Sequence, residues 1–399
     1  MTHVVPRLAL PALDFTSVQS VALAISGGSD SSARMKLAVL ARSGAFRNVA
    51  LVAFTVDHGL REGSAGEAAM VARWCAEHGI FHETLRWHGE IIRSGLQAAA
   101  RKARYDLMTD RCAAMGCGVL MTAHTADDQA ETVAMRMTRT DSPKSLAGIW
   151  PSMTWNGITV CRPLLHERRE TLRAFLRDVG QPWIEDPSND DLRFERVRVR
   201  KSLAAGDVPI LAARAEAAIT TAMANSAEAT AWLEDHPVSH FGHMQFSRMG
   251  FASQPVAVQC EILSNLLAML GGKPPLRAQL RELAAHLRGS TFFRRTLGGG
   301  LVSARKSDVI ICREASRVLA EVIVPAGGTV LWDARFQITA PSGAVIRPLG
   351  RAHARASYGC PSYVAAALPE VLVAGNPPVT PHFQPGAGIS VRLSERFGL

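Results

Sequence analysis

The hexapeptide Ser26-Gly27-Gly28-Ser29-Asp30-Ser31 constrains this chain more than any other stretch. An apolar run, Val21 to Ile25, precedes it, and the pattern after it predicts a helix from about Ser32 to Leu40. Strand, glycine turn and helix in that order make a phosphate site. Two adjacent glycines let the backbone turn tightly and approach a ligand closely. Serine hydroxyls and the N–H groups of a helix start can then cradle phosphate oxygens. The helix dipole adds about 0.3–1 kcal/mol for an anion placed there. No Gly-Lys-Ser/Thr follows, so this is not a Walker loop. The plainer alternative is that Ser29 or Asp30 merely caps the helix. The strand-turn-helix context favours the phosphate site.

Residues 21–180 alternate strand and helix patterns. Runs at 49–56, 80–85, 119–122 and 158–165 read as strands. Helices are predicted over 66–79, 96–115, 125–137 and 167–179, with a loop region at 139–156. Such alternation specifies parallel strands joined by crossover helices, an α/β doubly wound sheet. Ligands of such sheets sit outside the C-terminal strand ends. The loop at Ser26, Asp57-His58 and His124 all fall at such ends. After about Gly206 the composition shifts. Residues 208–288 read as several alanine- and leucine-rich helices, with Arg277, Arg281 and Arg288 on a basic face. Short strands follow from Thr291, and the segment after Ala315 is rich in Val, Gly and Pro. The expected organisation is a catalytic domain over 1–205, a mainly helical domain over 206–314 and a small β-containing module over 315–399.

Charge narrows the partners. The net charge of +9 favours a polyanion, with nucleic acid first. The seven cysteines are scattered and none forms a Cys-x-x-Cys pair, which argues against a zinc site or disulfide framework and fits a reducing cytoplasm. Pro6, Pro11 and Asp14 make the N-terminus a poor signal peptide. No run approaches the ~20 apolar residues of a membrane span.

Three further stretches carry chemistry. In Ala123-His124-Thr125-Ala126-Asp127-Asp128-Gln129-Ala130-Glu131-Thr132, a helix would place Asp128 and Glu131 on one face, with His124 one turn before Asp128. Two carboxylates beside a phosphate loop can hold Mg²⁺ or a cationic amine, or simply form an acidic helix start. In Ala100-Arg101-Lys102-Ala103-Arg104-Tyr105, Arg101 and Arg104 share a face, as an anion clamp requires. An exposed basic face is the plainer alternative. The third is Val56-Asp57-His58-Gly59-Leu60-Arg61, where a lone histidine is ordinarily structural.

The Ser26–Ser31 loop resembles that of the PP-loop ATP pyrophosphatases, of the adenine nucleotide α-hydrolase-like fold. With the three stretches above, Ser145-Leu146-Ala147-Gly148-Ile149, Arg162-Pro163-Leu164-Leu165 and the segment Trp183 to Asp191, the order and spacing resemble one family, the tRNA(Ile)-lysidine synthetases. The match covers about residues 20–200, and residues 206–399 match only in layout. The resemblance implies ATP and Mg²⁺ as cofactors, and the isoleucine tRNA with a CAU anticodon and free L-lysine as partners. ATP would adenylate C2 of the wobble cytidine, and the lysine ε-amine would then displace AMP. Carried over residue by residue, Ser26, Gly27, Gly28, Ser29, Asp30 and Ser31 would bind the ATP phosphates. Asp30 and Asp128 would hold the metal. Arg104 would stabilise the adenylated intermediate, His124 would contact the transferred phosphoryl group, and Asp128 with Glu131 would hold Mg²⁺ or lysine. One departure stands out. The family's Arg-Asn-x-Ile/Leu-Arg is here Arg196-Val197-Arg198-Val199-Arg200, so a hydrogen bond from the asparagine is lost, while the basic residues remain to meet tRNA. The nearest rival is a PP-loop tRNA thiolase, which ordinarily needs cysteines that no motif here contains. The oligomeric state stays open, a homodimer among the alternatives.

Overall fold

The structure, a computed structural model, describes residues 5–9, 18–57, 63–87, 96–185, 191–272, 275–289, 291–354, 359–382 and 388–395. His58 to Arg61 and residues 186–190, both within the motifs above, lie outside the described residues. The chain forms two compact units, Met1–Ala222 and Met223–Leu399.

The first unit is built on one sheet. Its strands are β1 (Ser20–Ala24), β2 (Ala50–Asp57), β3 (Phe81–Arg86), β4 (Val119–Met121), β5 (Ser152–Trp155) and β6 (Ile158–Cys161), in the order β3-β2-β1-β4-β6-β5. Val21 lies opposite Leu51 on one side and Val119 on the other, in parallel register. Only the edge strand β5 runs antiparallel, with Trp155 opposite Ile158. The helices are α1 (Ser29–Leu40), α2 (Ser64–Glu77), α3 (Leu96–Ala114), α4 (Ala126–Met137), α5 (Pro143–Leu146), α6 (Arg169–Asp178) and α7 (Glu195–Ser202), and α8 (Asp207–Glu234) begins in this unit and ends in the second.

Period-two alternation of apolar side chains explains the layers. Val21, Leu23, Leu51 and Met121 pack against Met35 and Ala38 of α1 and Val71 and Trp74 of α2. Ala22, Val52, Phe54 and Leu120 pack on the other face against Tyr105, Met108 and Cys112 of α3. Full burial of one such side chain, Phe54, contributes about 1.5–3 kcal/mol. A third cluster joins Ala33 and Leu37 of α1 to Leu172, Phe175 and Leu176 of α6.

Two expectations need correction here. α1 begins at Ser29, three residues earlier than the pattern predicts, because Gly28 is extended (φ −68°, ψ 163°) and stands as the N-cap. The loop region 139–156 contains α5 and strand β5, which finds its pairing only in β6.

In the second unit β7 (His243–Ser247), β8 (Phe293–Leu297), β9 (Gly300–Ala304) and β10 (Asp308–Arg313) form an antiparallel sheet ordered β7-β10-β9-β8. Gly298 (φ 59°) and Gly299 (φ 86°) make the two-residue turn between β8 and β9, which demands positive φ at both positions. Val309 and Ile311 enter a core with α9 (Arg248–Ala252), α10 (Val256–Met269) and α11 (Arg277–Arg288). Ile310 and Cys312, pointing the other way, enter a second core. That core includes residues of β11 (Val322–Val324), β14 (Ala344–Pro348) and β15 (Pro369–Val373), one three-stranded sheet. It also includes β12 (Thr329–Trp332) and β13 (Phe336–Thr339), which with β16 (Ser390–Leu393) make another. Strand β7 is a further correction, since residues 208–288 read as helical throughout. No helix of the described residues is long and apolar enough to cross a membrane.

Candidate active site

The strand order of the first unit reverses direction at β1 and β4, and a crevice opens at such a switch point. Ser26–Ser31 follows β1, and Thr122-Ala123-His124 follows β4. Arg34, fully buried on α1, fastens the two strand ends by donating to the carbonyls of Ala24 (2.8 Å) and Met121. Burial pushes its guanidinium down to about 10, so it stays charged at neutral pH.

Hydrogen bonds within the loop set its shape. Ser31 Oγ donates to the Gly28 carbonyl (2.9 Å) and lies 3.3 Å from Ser26 Oγ. Gly27 has φ +85°, and a Cβ there would meet Ile184 Cδ1 at 2.5 Å. The Gly27 carbonyl accepts from Ser32 Oγ (3.2 Å) and from the Ile184 N–H (2.9 Å), so the Trp183–Glu185 segment is clipped onto the loop. The first N–H groups of α1 have no partner inside the helix, as at any helix start.

A cavity of about 780 Å³ opens over this loop. Ser26, Gly28, Ser29, Asp30, Ser31, Arg104, His124 and Asp128 all line it, together with Arg101, Arg169, Arg173, Arg196 and Arg200. Two of the residues expected at the site stand behind the wall. Gly27 packs against Ile184, and Glu131 is 1 % exposed.

Asp128 has two jobs. Its Oδ2 accepts from the Thr125 N–H (2.9 Å), and Thr125 Oγ1 accepts from the Asp128 N–H (3.3 Å), a capping box that starts α4. Its Oδ1 faces Arg196 (2.8 Å) and Arg169 (3.1 Å). Glu131, one turn on, takes Arg196 at 2.6 Å and Arg200 at 2.7 Å. Arg169 also reaches Asp30 at 3.1 Å. Asp127 faces elsewhere, pairing with Arg168 and accepting from the Arg169 N–H (2.8 Å). The Ser145–Ile149 segment is clamped to α4, since Gln129 donates to the Ala147 and Ile149 carbonyls, both 3.0 Å.

Titration behaviour follows from this crowding. Burial raises Asp30 above the usual carboxylate range, and the Asp128 charge adds to that, with Arg169 opposing. Burial also works against ionised Asp128, but Arg169, Arg196 and a Thr125 N–H outweigh it and hold the group below its usual range. Burial, assisted by the charges of Arg162, Arg101 and Arg196, holds His124 well below the ordinary imidazole value. The ring is therefore uncharged at neutral pH, with Nδ1 2.9 Å from Thr122 Oγ1. Arg104 opens on the cavity, and desolvation by its walls, with Arg101 nearby, lowers its guanidinium below the usual value.

Comparison with known proteins bears directly on this arrangement. Residues 3–206 match the PP-loop domain model. A tRNA(Ile)-lysidine synthase of Ruegeria pomeroyi is 37% identical over 367 residues, covering 90% of this chain and 85% of the relative. One from Mesorhizobium japonicum is 39% identical over 359 residues, covering 86% and 78%. The chain belongs to the tRNA(Ile)-lysidine synthase family. Among solved structures, the U34-tRNA thiolase NcsA of Methanococcus maripaludis is similar over 52% of this chain and 75% of that one, at 18% identity and a TM-score of 0.44.

For a tRNA(Ile)-lysidine synthase family member, the residues that sequence reasoning missed are informative. Arg196 and Arg200, among the basic residues that the sequence leaves to meet tRNA, lie four apart and turn one helix face toward Glu131, while Val197 is buried. The i, i+4 spacing against Asp128 and Glu131 was the available signal. Arg169 and Arg173 repeat that spacing on α6, and Arg173 Nε lies 3.4 Å from Ser29 Oγ. Nothing in the sequence separated them from other arginines of a basic helix.

Proposed function

We propose that this cavity activates the wobble cytidine of the CAU-anticodon isoleucine tRNA with ATP and then joins free L-lysine to it. The bond made in the first step links C2 oxygen to the α-phosphorus, and pyrophosphate leaves. In the second, the lysine ε-amine attacks C2 and AMP leaves. The observation that carries this reading is the convergence of Ser26–Ser31, Arg104, His124 and Asp128 on one cavity in a chain of this family. Ser26–Ser31 binds the phosphates through backbone N–H groups and hydroxyls. Arg104 faces the developing phosphoryl charge. His124 offers an uncharged imidazole whose ring N–H can donate to the transferred phosphoryl group. Asp128 and Glu131 supply the negative field that attracts the amine.

The donor set fits Mg²⁺ at Asp30, whose carboxylate borders the cavity beside the loop. Asp128 fits less readily, because its two oxygens already receive Thr125 N–H, Thr125 Oγ1, Arg169 and Arg196. A carboxylate has about four acceptor positions. When bound, Mg²⁺ would offset the charge of the leaving pyrophosphate. Residues 206–399, with Arg277, Arg281 and Arg288 on α11, are the part assigned to holding tRNA, consistent with the net charge of +9.

A thiolation reading is disfavoured. All seven cysteines are buried and none lines the cavity. Burial raises the thiols of Cys75, Cys112 and Cys161, the reverse of an activated thiolate. The test is stoichiometric. Pyrophosphate release should require CAU-anticodon tRNA, and AMP release should require lysine in addition. Release of both products without tRNA would overturn the assignment.

A further inference from the structure

Arg169, the first residue of α6, reaches three carboxylates, Asp30 (3.1 Å), Asp128 (3.1 Å) and Glu131 (3.5 Å). Its neighbours hold the same acids more closely. Arg196 stands 2.6 Å from Glu131 and 2.8 Å from Asp128, and Arg200 stands 2.7 Å from Glu131. Arg169 is thus shared three ways at longer range, with its side chain bordering the cavity. Its backbone is fixed, because the Arg169 N–H donates to Asp127 (2.8 Å), but the guanidinium hydrogen bonds of Arg169 end on Asp30 and Asp128.

Any cation that binds these acids must contend with this crowding. The acceptor positions of Asp128 are filled by Thr125, Arg169 and Arg196. An incoming ammonium can bind only by exchange, and Arg169 is the partner held at the greatest distance. Resting on the reaction proposed above, we propose that Arg169 is a place-holding cation: it occupies, among Asp30, Asp128 and Glu131, the position that the ammonium of the amine substrate takes.

The exchange has a consequence for the phosphoryl end. A displaced guanidinium keeps its charge. One turn along the same helix, Arg173 already contacts Ser29 of the phosphate loop at 3.4 Å. Arg169 and Arg173 thus place two cations on one helix face, one on the acids and one on the phosphate loop. Arg169 is on this account a positioning residue, not a group that touches the reacting atoms.

The test is the lysine KM of lysidine formation at saturating ATP and tRNA and fixed Mg²⁺. Arg169→Ala removes the competitor, so the lysine KM should fall about threefold or more, a cautious share of what one unit charge exerts at contact distance. The kcat should fall as well. Arg169→Lys refills the position with its own ammonium and should bring the lysine KM back toward wild type. Millimolar guanidinium chloride should raise the lysine KM of Arg169→Ala beyond matched NaCl and leave wild type unmoved. Should Arg169→Ala unfold, Arg169→Gln keeps a hydrogen-bonding side chain without the charge and gives the same measurement. A lysine KM that is unchanged or raised in a folded neutral variant overturns the proposal while wild type still makes lysidine. Wild type that makes no lysidine overturns the reaction and the exchange together.

Discussion

Two clusters of arginine and carboxylate in this chain use the same residue types and have opposite consequences. In the second unit, Asp333 is 4% exposed and takes Arg313 through Nε and Nη2, both 3.1 Å, and Arg335 through Nε at 2.8 Å. Other donors of these guanidinium groups end on backbone carbonyls, those of Gly299 (3.2 Å), Arg317 (2.7 Å) and Ala367 (2.6 Å). In the first unit, Arg169, Arg196 and Arg200 place their strongest contacts on Asp30, Asp128 and Glu131 beside a cavity. A backbone carbonyl fixed in a turn cannot trade partners, and a carboxylate facing a cavity can. Where the donors end, not which residues are present, separates a knot in the fold from a place for chemistry.

The largest effects should split along that line. Asp30→Ala should cut pyrophosphate release by about 10²-fold or more, because it removes charge from a water-poor phosphate site. Its urea midpoint should stay near wild type. A variant that turns over normally breaks the comparison. Asp333→Ala should do the reverse. It strands two buried guanidinium groups and should cost about 3–5 kcal/mol in urea unfolding, with activity per folded molecule unchanged. Equal loss of both properties in both variants would erase the distinction.

A smaller effect concerns pH. The folded pKa of His124 lies below its unfolded value near 6.5. Below that pH the unfolded chain binds more protons, so the stability from neutral His124 is fully present above about pH 6.5 and is lost as pH falls. His124→Gln should therefore flatten the fall in stability between pH 7 and pH 5 by an amount on the order of 1 kcal/mol. Parallel curves for the two proteins would contradict a buried, neutral imidazole.

The sequence made the frame of the site legible because strand ends and glycine turns are local facts. Val21–Ile25 followed by two glycines specifies a strand, a turn and a helix before any tertiary contact forms. The acidic start of the helix bearing Asp128 was equally local, and it proved compatible with a place for Asp128 on the cavity wall. Strands β5 and β7 were not legible, since each is short and exists through its pairing with β6 and β10. The arginines were hidden for another reason. A basic stretch such as Arg196–Arg200 reads alike whether it faces solvent, nucleic acid or a buried Glu131. Only the packing of α7 on α4 chose between them. Arg34 was hidden in the same way, a charge on a helix face that burial turns inward to two strand-end carbonyls.

The measurement that bears most directly on the account is mass spectrometry of nucleosides from CAU-anticodon isoleucine tRNA after incubation with ATP, Mg²⁺, lysine and the full chain. The account predicts lysidine in place of the wobble cytidine with the wild-type protein, and unmodified cytidine with Asp30→Ala. An unmodified cytidine with wild type, or a 2-thiocytidine in its place, would contradict it.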